Sequence, residues 1–177
     1  MERTISAVIP TAFGPLLATA DKRALLGLRF CWDETPEVTM GSGPAELGEA
    51  VSAILGRLRA ELDAYGHGEP VTFTVPLAWQ RVQGLQRSVL AATVGVPHGA
   101  TTTYGELATA VNRAGQARAV GGALRSNPWV IVVPCHRVVA ADGALTGYGG
   151  GPATGGRLDV KAALLAHERA WRAPTLF

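Results

Sequence analysis

The sequence predicts an α/β N-terminal domain, a small antiparallel sheet plus a helix, over residues 1–78. A mainly α C-terminal domain with a helix-turn-helix follows over residues 79–177. Three observations carry this division. Short apolar runs broken by turn residues fill the start of the chain, and one long helical stripe follows them. Around Pro76 an acidic character gives way to a basic one. Beyond it, two short helix patterns meet at a tight turn, the second flanked by arginines.

Residues 4–10, 16–20 and 25–30 read as strands, with Asp21-Lys22-Arg23 turning the second into the third. Residues 33–44, rich in Pro, Gly, Thr and Glu, read as a loop. From Ala45 the apolar positions Leu47, Val51, Ile54, Leu55, Leu58, Leu62 and Tyr65 fall on one helical face, and Gly66 ends the helix. Residues 71–75 read as one more strand. No catalytic chemistry is visible in this first domain.

The second domain opens with a helix over 85–94, with Leu85, Val89 and Ala92 inward, and the turn Pro97-His98-Gly99. Thr103-Tyr104-Gly105-Glu106 has capping-box spacing, hydroxyl and carboxylate each satisfying the other's backbone donor. The helix it starts runs to about residue 112, and a connection over 113–116 leads into a second helix over 117–125. Ala117, Ala119, Gly121, Gly122 and Ala123 leave that helix little bulk. Two adjacent glycines cost a helix interior about 1 kcal/mol each relative to alanine. Close approach to a neighbouring helix or to a nucleic-acid groove would explain the cost, and Arg118 and Arg125 at the ends favour DNA. A Gly/Pro-rich loop over 149–156 precedes the last helix, 157–171, where Lys161, Leu164, Leu165 and Glu168 share one face. A carboxylate there needs a partner.

With 177 residues, 47 % hydrophobic and 17 % charged, the chain suits a soluble globular protein with a real core. No run approaches the roughly 20 apolar residues that span a bilayer. The first residues lack the pattern of a signal peptide, so an intracellular protein is expected. Cys31 and Cys135 are then free thiols, Cys31 in the core. Neither belongs to a CxxC or HxxxH pattern, so no metal site is expected. The net charge of +2 conceals an asymmetry: residues 1–75 carry six Lys/Arg against ten Asp/Glu, whereas residues 76–140 carry six arginines against Glu106 alone. A basic segment made only of arginine (Arg81, Arg87, Arg113, Arg118, Arg125, Arg137) points to a polyanion bound by planar, bidentate contacts.

Pro134-Cys135-His136-Arg137-Val138 sets a thiol, an imidazole and a guanidinium side by side, directly after the apolar run Trp129-Val130-Ile131-Val132-Val133, which reads as the core of a strand. A free thiol has a pKa of about 8.5 and is nucleophilic only as thiolate, so it needs a base. In an extended strand neighbours face opposite ways. His136 therefore assists Cys135 only across a bend in the chain or through a water. Glu168 is the candidate for orienting His136. A papain-like hydrolase is disfavoured, since no oxyanion-hole motif is visible. The residues alone leave open a buried structural cysteine beside a surface His-Arg pair.

Asn127-Pro128 followed by Ile131-Val132-Val133-Pro134-Cys135-His136-Arg137-Val138-Val139 resembles the active-site signature of the O6-alkylguanine-DNA alkyltransferases, the methylated-DNA–protein-cysteine methyltransferases. Thr103-Tyr104-Gly105-Glu106-Leu107-Ala108, Arg118-Ala119-Val120-Gly121-Gly122-Ala123, Gly147-Tyr148 and Leu164-Leu165-Ala166-His167-Glu168 extend the likeness over residues 83–170. Upstream it is loose, in Phe13-Gly14-Pro15-Leu16. The resemblance implies stoichiometric repair of double-stranded DNA by a cytoplasmic, DNA-associated monomer: a damaged guanine is flipped out, and a cysteine takes its O6-alkyl group without a cofactor. Cys135 would be the acceptor, His136 a water-mediated base and Glu168 its orienting acid. Asn127 would be the hinge to the helix-turn-helix, and Tyr104 would rotate the nucleotide and donate a proton. Arg118 would fill the gap in the base stack, with Arg113, Arg125, Ala119, Gly121 and Gly122 along the DNA. Tyr148, Val138, Gly149 and Leu124 would line the guanine pocket, and Arg137 would be structural. Leu90, Gly149 and the long stretch 150–156 depart from the family pattern and suggest a roomier pocket that tolerates adducts larger than methyl. A damage-binding protein without transfer, or a thiol scavenger of a small alkylating metabolite, are the alternative functions.

Overall fold

The computed structural model describes residues 4–32, 45–148 and 157–171, the first three residues of the 45–148 segment by backbone alone. Strands β1 (Ile5–Ile9), β2 (Leu16–Ala20) and β3 (Leu25–Phe30) form an antiparallel sheet in sequence order. Alternation buries Leu16, Ala18 and Ala20 of β2, and the Asp21 carboxylate accepts from the Arg23 and Ala24 amides to close the turn into β3. Helix α1 (Ala45–Gly66) buries Val51, Ile54, Leu58, Leu62 and Tyr65, with Leu55 partly buried. The side chain of Leu47 and the loop expected over 33–44 lie outside the described residues.

The strand expected over 71–75 does not form. Its polar groups are taken by a side chain: the Glu61 carboxylate accepts from Thr74 N at 2.8 Å, Thr74 Oγ1 at 2.6 Å and Val75 N at 3.3 Å. The segment is thereby held on α1, and the chain meets β3 just after it, at the parallel bridge of Leu77 to Leu25.

The second half is helical. In α2 (Gly84–Val94) the inward positions are Val89, Leu90 and Thr93, while Leu85 and Ala92 are only partly buried. Leu90 is fully buried in the core. Strand β4 (Thr102–Thr103) leads into α3 (Tyr104–Ala110), whose expected capping box is present: Thr103 Oγ1 accepts from Glu106 N at 3.1 Å and Glu106 Oε2 from Thr103 N at 2.7 Å. Asn112, in the left-handed region with φ of 57°, turns the chain toward α4 (Ala117–Arg125), so α3 and α4 form the helix-turn-helix. Strand β5 (Val138–Val139) pairs in parallel with β4, and α5 (Leu158–Ala170) closes the described fold with Val160, Lys161, Leu164, Leu165 and Glu168 buried.

Residues 129–133 are not the strand that their apolar content predicts, but a succession of tight turns. Val132 N bonds Val130 O at 2.8 Å and Val133 N bonds Trp129 O at 2.9 Å. Ile131 takes a φ of 68°, a conformation that is strained for a β-branched side chain. The docking of this segment on β3 compensates. Leu28 N donates to Pro128 O at 2.7 Å, Val130 N to Leu28 O at 3.1 Å, and Trp129 Nε1 to Leu25 O at 3.0 Å. The edge of the first sheet thus carries the turn that leads to Cys135.

Candidate active site

Cys135, His136 and Arg137 form a single 3-10 turn with all three side chains buried. The chain bends where an alternating strand was expected, so the thiol and the imidazole are no longer forced to opposite faces. Asn127 fixes the turn from the end of α4. Its Nδ2 donates to Val133 O at 2.9 Å, to Cys135 Sγ at 3.2 Å and, more weakly, to Trp129 O at 3.4 Å; its Oδ1 accepts from Trp129 N at 3.0 Å.

Behind the turn lies Glu168, 1 % exposed. His136 Nε2 meets Glu168 Oε1 at 2.7 Å, and Arg137 donates through Nε to Oε2 at 2.9 Å and through Nη2 to Oε1 at 2.9 Å. Gly99 N donates to Oε2 and Tyr65 Oη to Oε1, each at 2.9 Å. Burial alone would raise the pKa of this carboxyl. The hydrogen bonds of His136 and Arg137 outweigh it and hold the group well below the usual carboxylate range. Glu168 is therefore an acceptor throughout, which puts the ring proton of neutral His136 on Nε2. Nδ1 of His136 is buried and has no hydrogen-bond partner among the described residues.

Burial sets the other protonation states. It pushes the Cys135 thiol up, against the Asn127 hydrogen bond and the Lys161 charge, and it pushes His136 down, against the pull of Glu168. At neutral pH the pair is thus thiol and neutral imidazole, a nucleophile at rest beside a base. Lys161, wholly buried, donates to Val138 O at 2.7 Å and to Thr146 O at 2.8 Å, and burial lowers its pKa to about 8. Thr146 Oγ1 in turn donates to Tyr104 Oη at 2.9 Å, leaving the phenolic proton of Tyr104 free to be given away. Burial raises the pKa of Tyr104. Tyr148 is buried with its ring edge-on to His136 and to Phe30 of β3, both at 6.2 Å between centroids.

Cys135, His136, Glu168, Asn127 and Tyr148 are gathered into one cluster, and Tyr104 joins it through Thr146 and Lys161. Val138 and Leu124 are buried near by in the sequence of the turn and of α4. Gly149 and residues 150–156 lie outside the described residues. On α4 the apolar face is Val120, Ala123 and Leu124, whereas Arg118, Ala119, Gly122 and Arg125 are exposed, as is Arg113 in the turn before it. A Cβ on Gly121 would lie 3.7 Å from the Tyr104 ring, and one on Gly122 would meet nothing within 4 Å. Helix packing therefore does not account for Gly122. Arg137 is no part of the basic surface, being buried on Glu168.

Sequence reasoning did not assign Tyr65, Lys161, Gly99 or Thr146 to the site. A lysine inside the apolar stripe of the last helix was a readable signal for Lys161. Tyr65 had none, because its place in the α1 stripe accounts for it as core.

A helix-turn-helix with an exposed face of arginine and small residues, set before a buried Cys-His pair and its Glu and Arg supports, defines a DNA-binding protein with a thiol acceptor. Comparison with known proteins makes the assignment specific. Residues 84–170 match the 6-O-methylguanine DNA methyltransferase DNA binding domain, and residues 5–79 match the ribonuclease-like domain of the same proteins. A methylated-DNA–protein-cysteine methyltransferase of Mycobacterium bovis is 38 % identical over 172 residues, 96 % of either chain. The crystal structure of Mycobacterium tuberculosis O6-methylguanine methyltransferase superposes with a TM-score of 0.71 at 33 % identity, covering 98 % of this chain and 97 % of that one. The structure of OGT from that organism in complex with DNA gives 0.70 at 37 % identity, covering 95 % and 94 %. The chain belongs to the methylated-DNA–protein-cysteine methyltransferase family.

Proposed function

We propose that this protein repairs O6-alkylguanine in double-stranded DNA by moving the alkyl group to Cys135, once per molecule. The observation that carries this reading is the relay behind the thiol: His136 follows Cys135 in one buried turn, is bound through Nε2 to an ionised Glu168, and keeps Nδ1 unbonded. The exposed face of α4 enters the groove, where Gly121, Gly122 and Ala119 allow close backbone approach and Arg113 and Arg125 meet phosphates. Arg118 occupies the stack position left by the flipped nucleotide, offsetting part of a flipping cost of a few kcal/mol. The guanine is received between Tyr148, the backbone at Val138 and Leu124.

His136, acting through a water, takes the thiol proton, and Asn127 and Lys161 stabilise the thiolate with a hydrogen bond and a positive charge. Sγ then bonds to the alkyl carbon as the bond from that carbon to O6 breaks, and the electron pair stays on the guanine. Tyr104 delivers a proton to the departing base. Solvent then returns a proton to the Tyr104 phenolate and takes the one His136 gained, so the net change is one alkyl group moved from oxygen to sulfur and the thiol proton delivered to the guanine. The thioether is stable, and no second turnover follows.

Among the described residues no helix is long and apolar enough to cross a membrane. We place the protein in the cytoplasm on DNA. Titrating a duplex with one O6-methylguanine against the protein tests the function. Guanine restored should rise in proportion to protein and stop at one lesion per molecule. Continued turnover, or no restoration, would contradict it.

A further inference from the structure

Glu168 takes hydrogen bonds from four residues, of which His136, Arg137 and Gly99 belong to the second half of the chain. The fourth, Tyr65, is on α1 of the first. Its hydroxyl lies 2.9 Å from Oε1, the same oxygen that receives Nε2 of His136. Tyr65 is 1 % exposed, so its hydroxyl gives up water entirely to make this bond. Packing does not ask for the oxygen. The ring contacts are with Phe13, Phe73, His98 and His167, at 5.8, 6.1, 5.9 and 5.4 Å, and a phenylalanine would make them equally well. His167, next to Glu168, donates through Nε2 to the Tyr65 carbonyl at 2.6 Å, which fixes α1 against α5 at this point.

We propose that Tyr65 is a positioning residue through which the first domain acts on the alkyl-acceptor site, its hydroxyl setting how strongly Glu168 holds His136. This deepens the alkyl-transfer reading and rests on it. The hydroxyl shares Oε1 with His136 Nε2 and Arg137 Nη2, so it takes part of the accepting capacity of that oxygen. It also draws negative charge from the oxygen. Without it Oε1 pulls harder on the Nε2 proton, and the imidazole becomes more basic. A more basic His136 is protonated at higher pH, where it can no longer receive the thiol proton. The acid limb of the pH–rate profile then moves up. The charged and titratable groups facing His136 are Glu168, Arg137 and Lys161, with Cys135 and Tyr148 beside it; those facing Tyr65 are Glu168, Arg137, His98, His167 and Tyr148. Tyr65→Phe adds no charge to this set and removes none, so its effect on His136 passes through the hydrogen bond to Glu168.

The test uses the full chain and an O6-methylguanine duplex under single-turnover conditions, with the His136 ring titrated in parallel by nitrogen NMR. Tyr65→Phe should slow transfer several-fold on the acid side, leave half-saturation by DNA unchanged, and raise the titration midpoint of His136. Replacing Tyr65 with 3-fluorotyrosine, a stronger donor of nearly the same shape, should lower that midpoint, and it decides the matter if the phenylalanine variant folds poorly. Phe73→Leu, which loosens packing on the same ring, should lower Tm and leave both readouts in place. A Tyr65→Phe protein that titrates and reacts as the wild type does would overturn the proposal. A wild-type protein that transfers nothing would instead sink the alkyl-transfer reading, and the His136 titration would still judge Tyr65.

Discussion

Asn127 does two things to Cys135 at once: it ties the turn that presents the thiol, and it places a donor 3.2 Å from Sγ that opposes the effect of burial. Asn127→Ala should therefore raise the thiol pKa, read as slower labelling by iodoacetamide at fixed pH. It should also cost about 1–3 kcal/mol, because a buried turn loses its partners. Glu168 is the residue with most to lose. Glu168→Gln leaves the Arg137 guanidinium buried without its counter-charge, and denaturant titration should show a loss of about 3–5 kcal/mol. The sign of the pH dependence follows from the direction of its shift. The folded pKa lies below the unfolded value of about 4.3, so the stabilisation is complete above that value and is lost as pH falls toward the folded one. Acid unfolding of Glu168→Gln should lack that portion of the curve. At this scale the grouping of Cys135, His136 and Glu168 was legible in the sequence from chemistry and family likeness. The contact of Tyr65 with Glu168 was not, since nothing in an amphipathic stripe says which apolar neighbour hides a carboxylate.

Among the elements, α4 shows most plainly a local cost kept for a surface. A Cβ on Gly122 would meet nothing within 4 Å among the described residues, and its φ is not in the left-handed region, so alanine fits there without strain. Gly122→Ala should stabilise the domain by about 1 kcal/mol in thermal unfolding while weakening binding to duplex DNA. An unchanged affinity would remove the close backbone approach from the account. The capping box at Thr103 and the bounds of α4 were readable because they rest on contacts within a few residues. The strands expected over 71–75 and 129–133 failed for the opposite reason. Glu61 captures the first from thirteen residues away, and in the second the edge of β3 holds Ile131 in a conformation its own propensity disfavours. Propensity registers an apolar β-branched run in both cases and has no view of the distant partner that bends it.

For the whole molecule, the acidic and basic halves are one functional unit. The first sheet carries the turn before Cys135, α1 supplies a donor to Glu168, and the helix-turn-helix faces outward with its arginines. The division of labour between a basic DNA-facing half and an acidic half was visible in the charge distribution. Their shared active site was not, because it is built from side chains more than a hundred positions apart in Tyr65 and Glu168. Binding should weaken steeply with salt, and Arg113→Ala should flatten the slope of log affinity against log salt by about one unit. The central claim, that Cys135 is the alkyl acceptor, is tested most directly by mass spectrometry of the protein after incubation with an O6-methylguanine duplex. One methyl group should appear per chain, on the peptide that contains Cys135, and none on Cys135→Ala. A methyl group on any other residue, or an unmodified protein beside a repaired duplex, would contradict it.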